Sequence, residues 1–181
     1  MTQQTYLGGR VIVTTGDITA VAVDAIVNAA NSALMGGGGV DGEIHARGGA
    51  AIPAACRELR RTRYPDGLPA GEAVLTTAGN LPARFVVHTV GPIWGADEPA
   101  PKLLASCYRK AIELADAEGL QSISFPAIAT GAYGYPRDKA AGVASKAIAE
   151  ALAKAHSVRR VHLVFFSDAD RDTFVRHQQF P

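Results

Sequence analysis

Only two cysteines, Cys56 and Cys107, occur in 181 residues, and they stand far apart without CxxC or Cys/His spacing. A disulfide framework and the usual zinc motifs are excluded on that count. Charge of one sign is also missing: 18 Lys and Arg against 17 Asp and Glu leave a net charge of +1. That balance argues against binding driven by bulk electrostatics to nucleic acid or a membrane surface. Long apolar runs are absent. VAVDAIVNAA (21–30) is broken by Asp24 and Asn28, well short of the roughly 20 residues that span a bilayer. The opening MTQQTYLGGR has no apolar stretch of signal-peptide type. A soluble chain in a reduced, cytoplasmic setting is expected.

Several catalytic signatures are missing as well. No glycine loop closes on Lys-Ser or Lys-Thr, as a P-loop requires, and no GxGxxG opens a helix with an acidic residue about 20 positions on. There is no GxSxG elbow and no HExxH. NTPase, nicotinamide dehydrogenase, serine-hydrolase and zinc-protease chemistry are all disfavoured. Neither cysteine has a histidine near it in sequence, so a covalent nucleophile has no obvious candidate.

What is present is a chain of ordinary domain length, 48% hydrophobic, with 19 glycines. Such a length buries roughly 70% of the surface the unfolded chain exposes. Runs rich in branched residues at 10–15, 25–30, 73–77, 85–90, 122–127 and 160–166 read as strands. Ala-rich stretches at 50–61, 102–118 and 139–154, and a short one at 170–178, have helical spacing. Several strands are apolar on both faces, which requires helices on both sides of the sheet. The expected fold class is α/β, a three-layer α/β/α sandwich. No repeat, low-complexity tract or linker divides it, so residues 1–181 read as one domain.

Two segments are too glycine-rich for regular structure, 34–49 and 129–136, and each directly follows an apolar strand. In an open α/β sheet that is where ligand crevices form. Bare glycine amides can wrap phosphate oxygens, and a helix starting at Asp41 would add free amides and a positive dipole end. Two facing cradles suit a pyrophosphate. Asp41 and His45, four apart, share a helix face, although Asp also caps helices and a lone His is often merely packed. Asn28 and Asn31 either shape a turn or hold sugar hydroxyls. Asp17 caps, or accepts from an exocyclic amine. Tyr133 and Tyr135 either pack the turn or border a ribose, and Phe165 and Phe166 are either core or a stacking surface.

Taken together, GDIT (16–19), VDAIVNAANSALMGGGGVDGEIHARGG (23–49), GEAVLTTAGNLPARFVVHTVGPIW (71–94) and SFPAIATGAYGYP (124–136) resemble the macrodomain family, and within it the MacroD-type ADP-ribosyl hydrolases. The resemblance runs in order through nearly the whole chain. It implies a six- or seven-stranded mixed sheet between helices, with ADP-ribose across the strand ends. It makes Asp17 the acceptor for the adenine amine with Ile18 beside it, and Phe166 the aromatic wall for adenine. Asn31, with Asn28, matches the asparagine that holds the distal ribose. Gly37, Gly38, Gly39 and Val40 match the first phosphate loop, and Thr130, Gly131, Ala132 and Tyr133 the second. Asp41 and His45 match the pair of the catalytic class, with Asn31 beside them.

The implied activity is hydrolysis of an ester on the distal ribose, either of a mono-ADP-ribosylated acidic side chain on a protein or of O-acetyl-ADP-ribose. A non-catalytic ADP-ribose reader and an ADP-ribose 1″-phosphatase remain alternatives with the same pocket. The ligands of the zinc-dependent subclass are missing, so neither metal nor cofactor is expected, and a monomer is. Two positions depart from the family pattern: Glu43, where a small residue is usual, and Ala132, where a larger aliphatic is common. The first would add charge at the cleft mouth, and the second would loosen the cover over the ribose.

Overall fold

The computed structural model describes residues 3–181. Seven strands form one sheet: β1 (Gln4–Tyr6), β2 (Val11–Thr15), β3 (Ala25–Ala30), β4 (Ala73–Thr77), β5 (Phe85–Val90), β6 (Ser122–Phe125) and β7 (Arg160–Phe165). Their spatial order is β1-β2-β7-β6-β3-β5-β4. The five inner strands are mutually parallel, and β1 and β4 close the two edges antiparallel. The sheet is therefore mixed and seven-stranded, with its parallel part buried between helices, as parallel strands require.

Five helices follow: α1 (Gly39–Gly48), α2 (Ala51–Thr62), α3 (Ala100–Ala117), α4 (Arg137–Lys154) and α5 (Asp168–His177). Strand alternation sorts the core into two layers. Ala25, Val27, Val87, Ile123 and Phe125 pack with Leu104, Ile112, Ile148 and Phe174 under α3, α4 and α5. Ile26, Val86, Val90 and Val74 point the other way and pack with Ile44, Ile52 and Cys56 under α1 and α2. The three-layer α/β/α arrangement expected from the two-faced apolar strands is what forms.

Some boundaries move. β1 is too short, at three residues, to announce itself in the sequence, and β6 stops at Phe125 because Pro126 cannot donate to the ladder. α1 begins at Gly39, two residues before Asp41. Its cap, Gly38, makes no side-chain hydrogen bond.

This topology brings the carboxyl ends of β2, β3, β5, β6 and β7 to one edge. The connections leaving β2, β3, β6 and β7 there carry Asp17, Asn31 to Val40, Thr130 to Tyr133, and Phe166. Residues as far apart in sequence as Asp17 and Phe166 come to the same edge for that reason alone. No described helix is long and apolar enough to cross a membrane.

Candidate functional site

The first glycine loop has a distinct demand at each position. Gly36 and Gly39 adopt positive φ, 89° and 58°, which L-residues rarely tolerate. Gly37 does not; a Cβ there would lie 3.3 Å from Asp41 Oδ2 and 3.4 Å from Asn31 Nδ2. Gly38 faces open space, with no atom within 4 Å of an added Cβ. A backbone bare on that side, leading into a helix without a side-chain cap, has the free amides that can cradle an anion. Gly42 fixes the loop from behind. A Cβ on it would fall 2.5 Å from the Gly37 carbonyl oxygen, so α1 and the loop touch only because position 42 is bare.

Asp41 corrects one expectation. It does not cap α1; Gly38 and Gly39 start the helix, and Asp41 occupies its first turn with its side chain only 7% exposed. Its Oδ1 accepts from Asn28 Nδ2 at 2.8 Å and lies 3.4 Å from His45 Nε2, an ion-pair distance without hydrogen-bond alignment. Oδ2 lies on the side of Gly37, as does the Asn31 amide nitrogen. The carboxylate therefore has a tethered oxygen and a second one toward the cradle. His45 packs against Gly36, one helical turn beyond Asp41, as their spacing requires.

Asn28 corrects a second. It was expected to share the ribose with Asn31, but its side chain is fully buried on β3 beneath α1. Its Nδ2 donates to Asp41 and stands 3.1 Å from His88 Nδ1. A side chain with no exposed surface cannot touch a ligand; its place is behind the site. Asn31 is half-buried, with Nδ2 donating weakly to the Gly36 carbonyl at 3.3 Å and a buried Oδ1 that has no protein partner. An unsatisfied amide oxygen beside a bare loop is a ready acceptor for a hydroxyl.

The second loop is a closed turn. Gly134 N donates to Gly131 O at 3.0 Å, and Tyr135 N to Ala129 O at 2.9 Å. Gly131 and Ala132 are exposed, while Thr130 and Tyr133 are half-buried. Tyr133 O accepts from Trp94 N at 2.8 Å, tying this loop to the connection after β5. Burial pushes the Tyr133 phenol up, and the carboxylates of Asp97 and Asp41 push it further. Tyr133 thus feels Asp41 across the cleft. Tyr135 instead is buried and packs on Trp94, 4.7 Å between centroids.

At the other end, Asp17 Oδ1 accepts from Thr19 N at 2.9 Å and Thr19 Oγ1 at 2.6 Å. These bonds, with Arg47 nearby, hold its carboxyl below the usual range despite partial burial. Its Oδ2 is 3.8 Å from Arg47 Nη2 and otherwise faces solvent. Ile18 stands beside it but turns its side chain into the core. Phe165 belongs to the core, and Phe166 is 94% exposed at the end of β7. A phenylalanine so placed gains nothing from folding and offers a free aromatic face. Glu43 pairs with Arg47 at 3.4 Å, so its charge reaches toward Asp17 through that arginine.

Sequence reasoning missed His88, Thr76, Cys56 and Arg47. His88 is buried on β5, directly opposite Asn28 in the β3–β5 register. Its Nε2 is 2.8 Å from Thr76 Oγ1 and 3.8 Å from Cys56 Sγ. Burial, with His45 nearby, drives its pKa down to about 3, so it is neutral at physiological pH. The available signal was a polar side chain within each of two largely apolar strands, Asn28 in AIVNAA and His88 in FVVHTV. Among the described residues, His45, Cys56 and His88 bring ligand atoms within 4.8 Å of one another. Within that grouping His88 Nε2 is engaged with Thr76, and burial raises the Cys56 thiol to about 11.

Comparison with known proteins agrees with this geometry. The Macro domain profile matches residues 27–144. A Macro domain-containing protein of Streptomyces nogalater is 52% identical over 161 residues, covering 89% of this chain and 87% of its own. The O-acetyl-ADP-ribose deacetylase of Cronobacter sakazakii is 45% identical over 174 residues, 96% of this chain and 94% of its own. A solved variant of the Oceanobacillus iheyensis macrodomain with ADPR superposes with a TM-score of 0.90 at 40% identity, covering 97% of this chain and 95% of that one.

Proposed function

The chain belongs to the Macro domain family, and we propose that its cleft binds ADP-ribose and hydrolyses an ester on the distal ribose. The substrates are O-acetyl-ADP-ribose and mono-ADP-ribose on the Asp or Glu side chain of a protein. In this reading adenine lies on Phe166 with its amine on Asp17, and the diphosphate spans the two glycine loops. The distal ribose comes to Asn31 and Tyr133.

The observation that carries the catalytic part is the state of Asp41. Its carboxylate is buried and held at Oδ1, while Oδ2 is on the side of Gly37, in the first glycine loop. A carboxylate fixed in that way orients a water, or takes a proton from it, at the ester of a bound distal ribose; such assistance contributes typically 10² to 10⁴ in rate. Water adds across the ester, releasing a free ribose hydroxyl and the carboxylic acid of acetate or of the protein side chain. The loop amides stabilise the charge that develops, without reorganisation. The name of the Cronobacter sakazakii relative supports the acetyl ester as a substrate, and the family resemblance supports the protein ester.

The test compares wild type with Asp41→Ala on both esters, with ADP-ribose affinity measured by calorimetry. The expected result is rapid release by the wild type and a loss of at least about a hundredfold in the variant, with ADP-ribose still bound. Tight binding with no release by the wild type identifies a reader and overturns the hydrolase. Release of inorganic phosphate from ADP-ribose 1″-phosphate, with both esters left intact, identifies a phosphatase.

A further inference from the structure

We propose that His88 is a positioning residue for the reaction: as a hydrogen-bond acceptor at Nδ1 it sets the orientation of the Asn28 amide, which in turn fixes which oxygen of Asp41 faces the ligand. The inference rests on the reading of Asp41 as the group that handles the attacking water. It concerns two residues, Asn28 and His88, with no exposed surface.

An asparagine amide can be turned over with little change in shape, so only its partners decide which end points where. Asn28 has a carboxylate on one side, Asp41 Oδ1 at 2.8 Å, and an imidazole nitrogen on the other, His88 Nδ1 at 3.1 Å. A carboxylate accepts only, so the amide must present N–H to it. The second N–H of the same group then needs a lone pair at His88 Nδ1. That lone pair exists only in the neutral ring with its proton on Nε2.

The other side of the ring supplies what this tautomer requires. His88 Nε2 donates to Thr76 Oγ1 at 2.8 Å, and the Thr76 hydroxyl passes its own proton to Thr77 O at 3.0 Å. Donors therefore run outward from Nε2 to the β4 backbone and converge from Asn28 on Nδ1. Were the proton on Nδ1, the Asn28 amide would turn over and set its carbonyl against the Asp41 carboxylate, releasing Oδ1.

Sheet register makes the device possible. Asn28 and His88 are direct partners across β3 and β5, and Thr76 follows two residues after Val74, the β4 partner of His88. All three side chains point to the face covered by α1 and α2, and α1 brings Asp41 onto that face. The chain from Thr77 O to Asp41 crosses three strands and one helix, and the side chains in it, those of Thr76, His88, Asn28 and Asp41, are buried.

Two substitutions separate this from a merely structural role. His88→Asn places an acceptor where Nδ1 stands, and His88→Gln reaches only to the place of Nε2. Both keep a neutral polar group, and Asn, one methylene shorter than Gln, leaves the larger void, so a rate loss confined to H88Q cannot come from lost stability. Positioning predicts that H88N hydrolyses the ester at close to the wild-type rate and that H88Q loses roughly a hundredfold, the scale of a misplaced reacting group. ADP-ribose affinity is retained in both. In ¹⁵N-resolved spectra the Asn28 side-chain amide pair keeps its shifts in H88N and moves in H88Q. Equal rates in the two variants, or an unmoved amide in H88Q, overturn the proposal. If the wild type cleaves no ester, the hydrolase reading fails separately, and the amide spectra alone decide whether His88 sets Asn28.

Discussion

Acid should destabilise this protein through His88 in a way that one substitution removes. In the folded chain the ring is fully buried and its pKa lies at about 3, against an ordinary value of 6.5. Burial is the main cause and the neighbouring His45 a second; Asp41 reaches the ring only through Asn28. Between these two values the unfolded chain takes up a proton that the native chain refuses. Stability therefore rises with pH across the window and is lost as pH falls from about 6.5 toward 3. One pKa unit is worth about 1.4 kcal/mol, so 1.5 units of protonation refused at pH 5 remove about 2 kcal/mol. For a chain of this length that is roughly 4 to 8 °C in Tm. The assay is urea unfolding of wild type and H88N at pH 7.5, 6 and 5, with the difference between the two proteins followed so that carboxylate titrations cancel. H88N starts less stable because of the void it leaves, and the gap should narrow by about 2 kcal/mol at pH 5. A gap constant across the series would mean that the ring is not held neutral and would refute the reasoning.

Two further outcomes follow from the site geometry. Phe166→Ala should leave Tm within about 1 °C, since an exposed ring contributes little to stability. ADP-ribose affinity, read by calorimetry, should nevertheless fall about five- to a hundredfold, the range for losing one base–aromatic stack. Gly42→Ala should do the reverse in kind. Its methyl meets the Gly37 carbonyl, which must move, so we expect a loss of about 1 to 3 kcal/mol in chemical unfolding and weakened ADP-ribose binding. Unchanged binding in G42A would show that the first loop does not depend on its contact with α1.

Six of the seven strands and four of the five helices can be read from the order of residues, because apolar runs of four to six and Ala-rich stretches of helical spacing carry their own periodicity. β1 lacks the length to do so, and the glycines before Asp41 hide the true start of α1, which the letters put two residues late. GDIT, the glycine runs and the strand ends named nearly every group now found along the cleft, since a backbone cradle requires bare positions and those are visible as letters. Which of two like residues is left free at the cleft was not visible in the pattern, and only the family resemblance singled out Phe166 and Tyr133. Phe165 and Phe166 are the same letter, and only the end of β7 turns one into core and leaves the other free. Tyr133 and Tyr135 divide in the same way. Asn28 and Asn31 look equivalent in NAAN, yet strand alternation buries the first under α1, and the chain leaving the sheet brings the second to the loop.

The sequence by itself determined the layer architecture and the two glycine loops that leave the carboxyl edge of the sheet, because these follow from local periodicity and from the steric needs of glycine. The tertiary structure alone decided the chemistry behind Asp41. The pairing of Asn28 with His88 depends on the register of two strands sixty residues apart. The neutral state of His88 depends on being sealed beneath α1 and α2. No local pattern records register or burial of that kind, because both are properties of surfaces that exist only once the sheet has formed and its helices have closed over it.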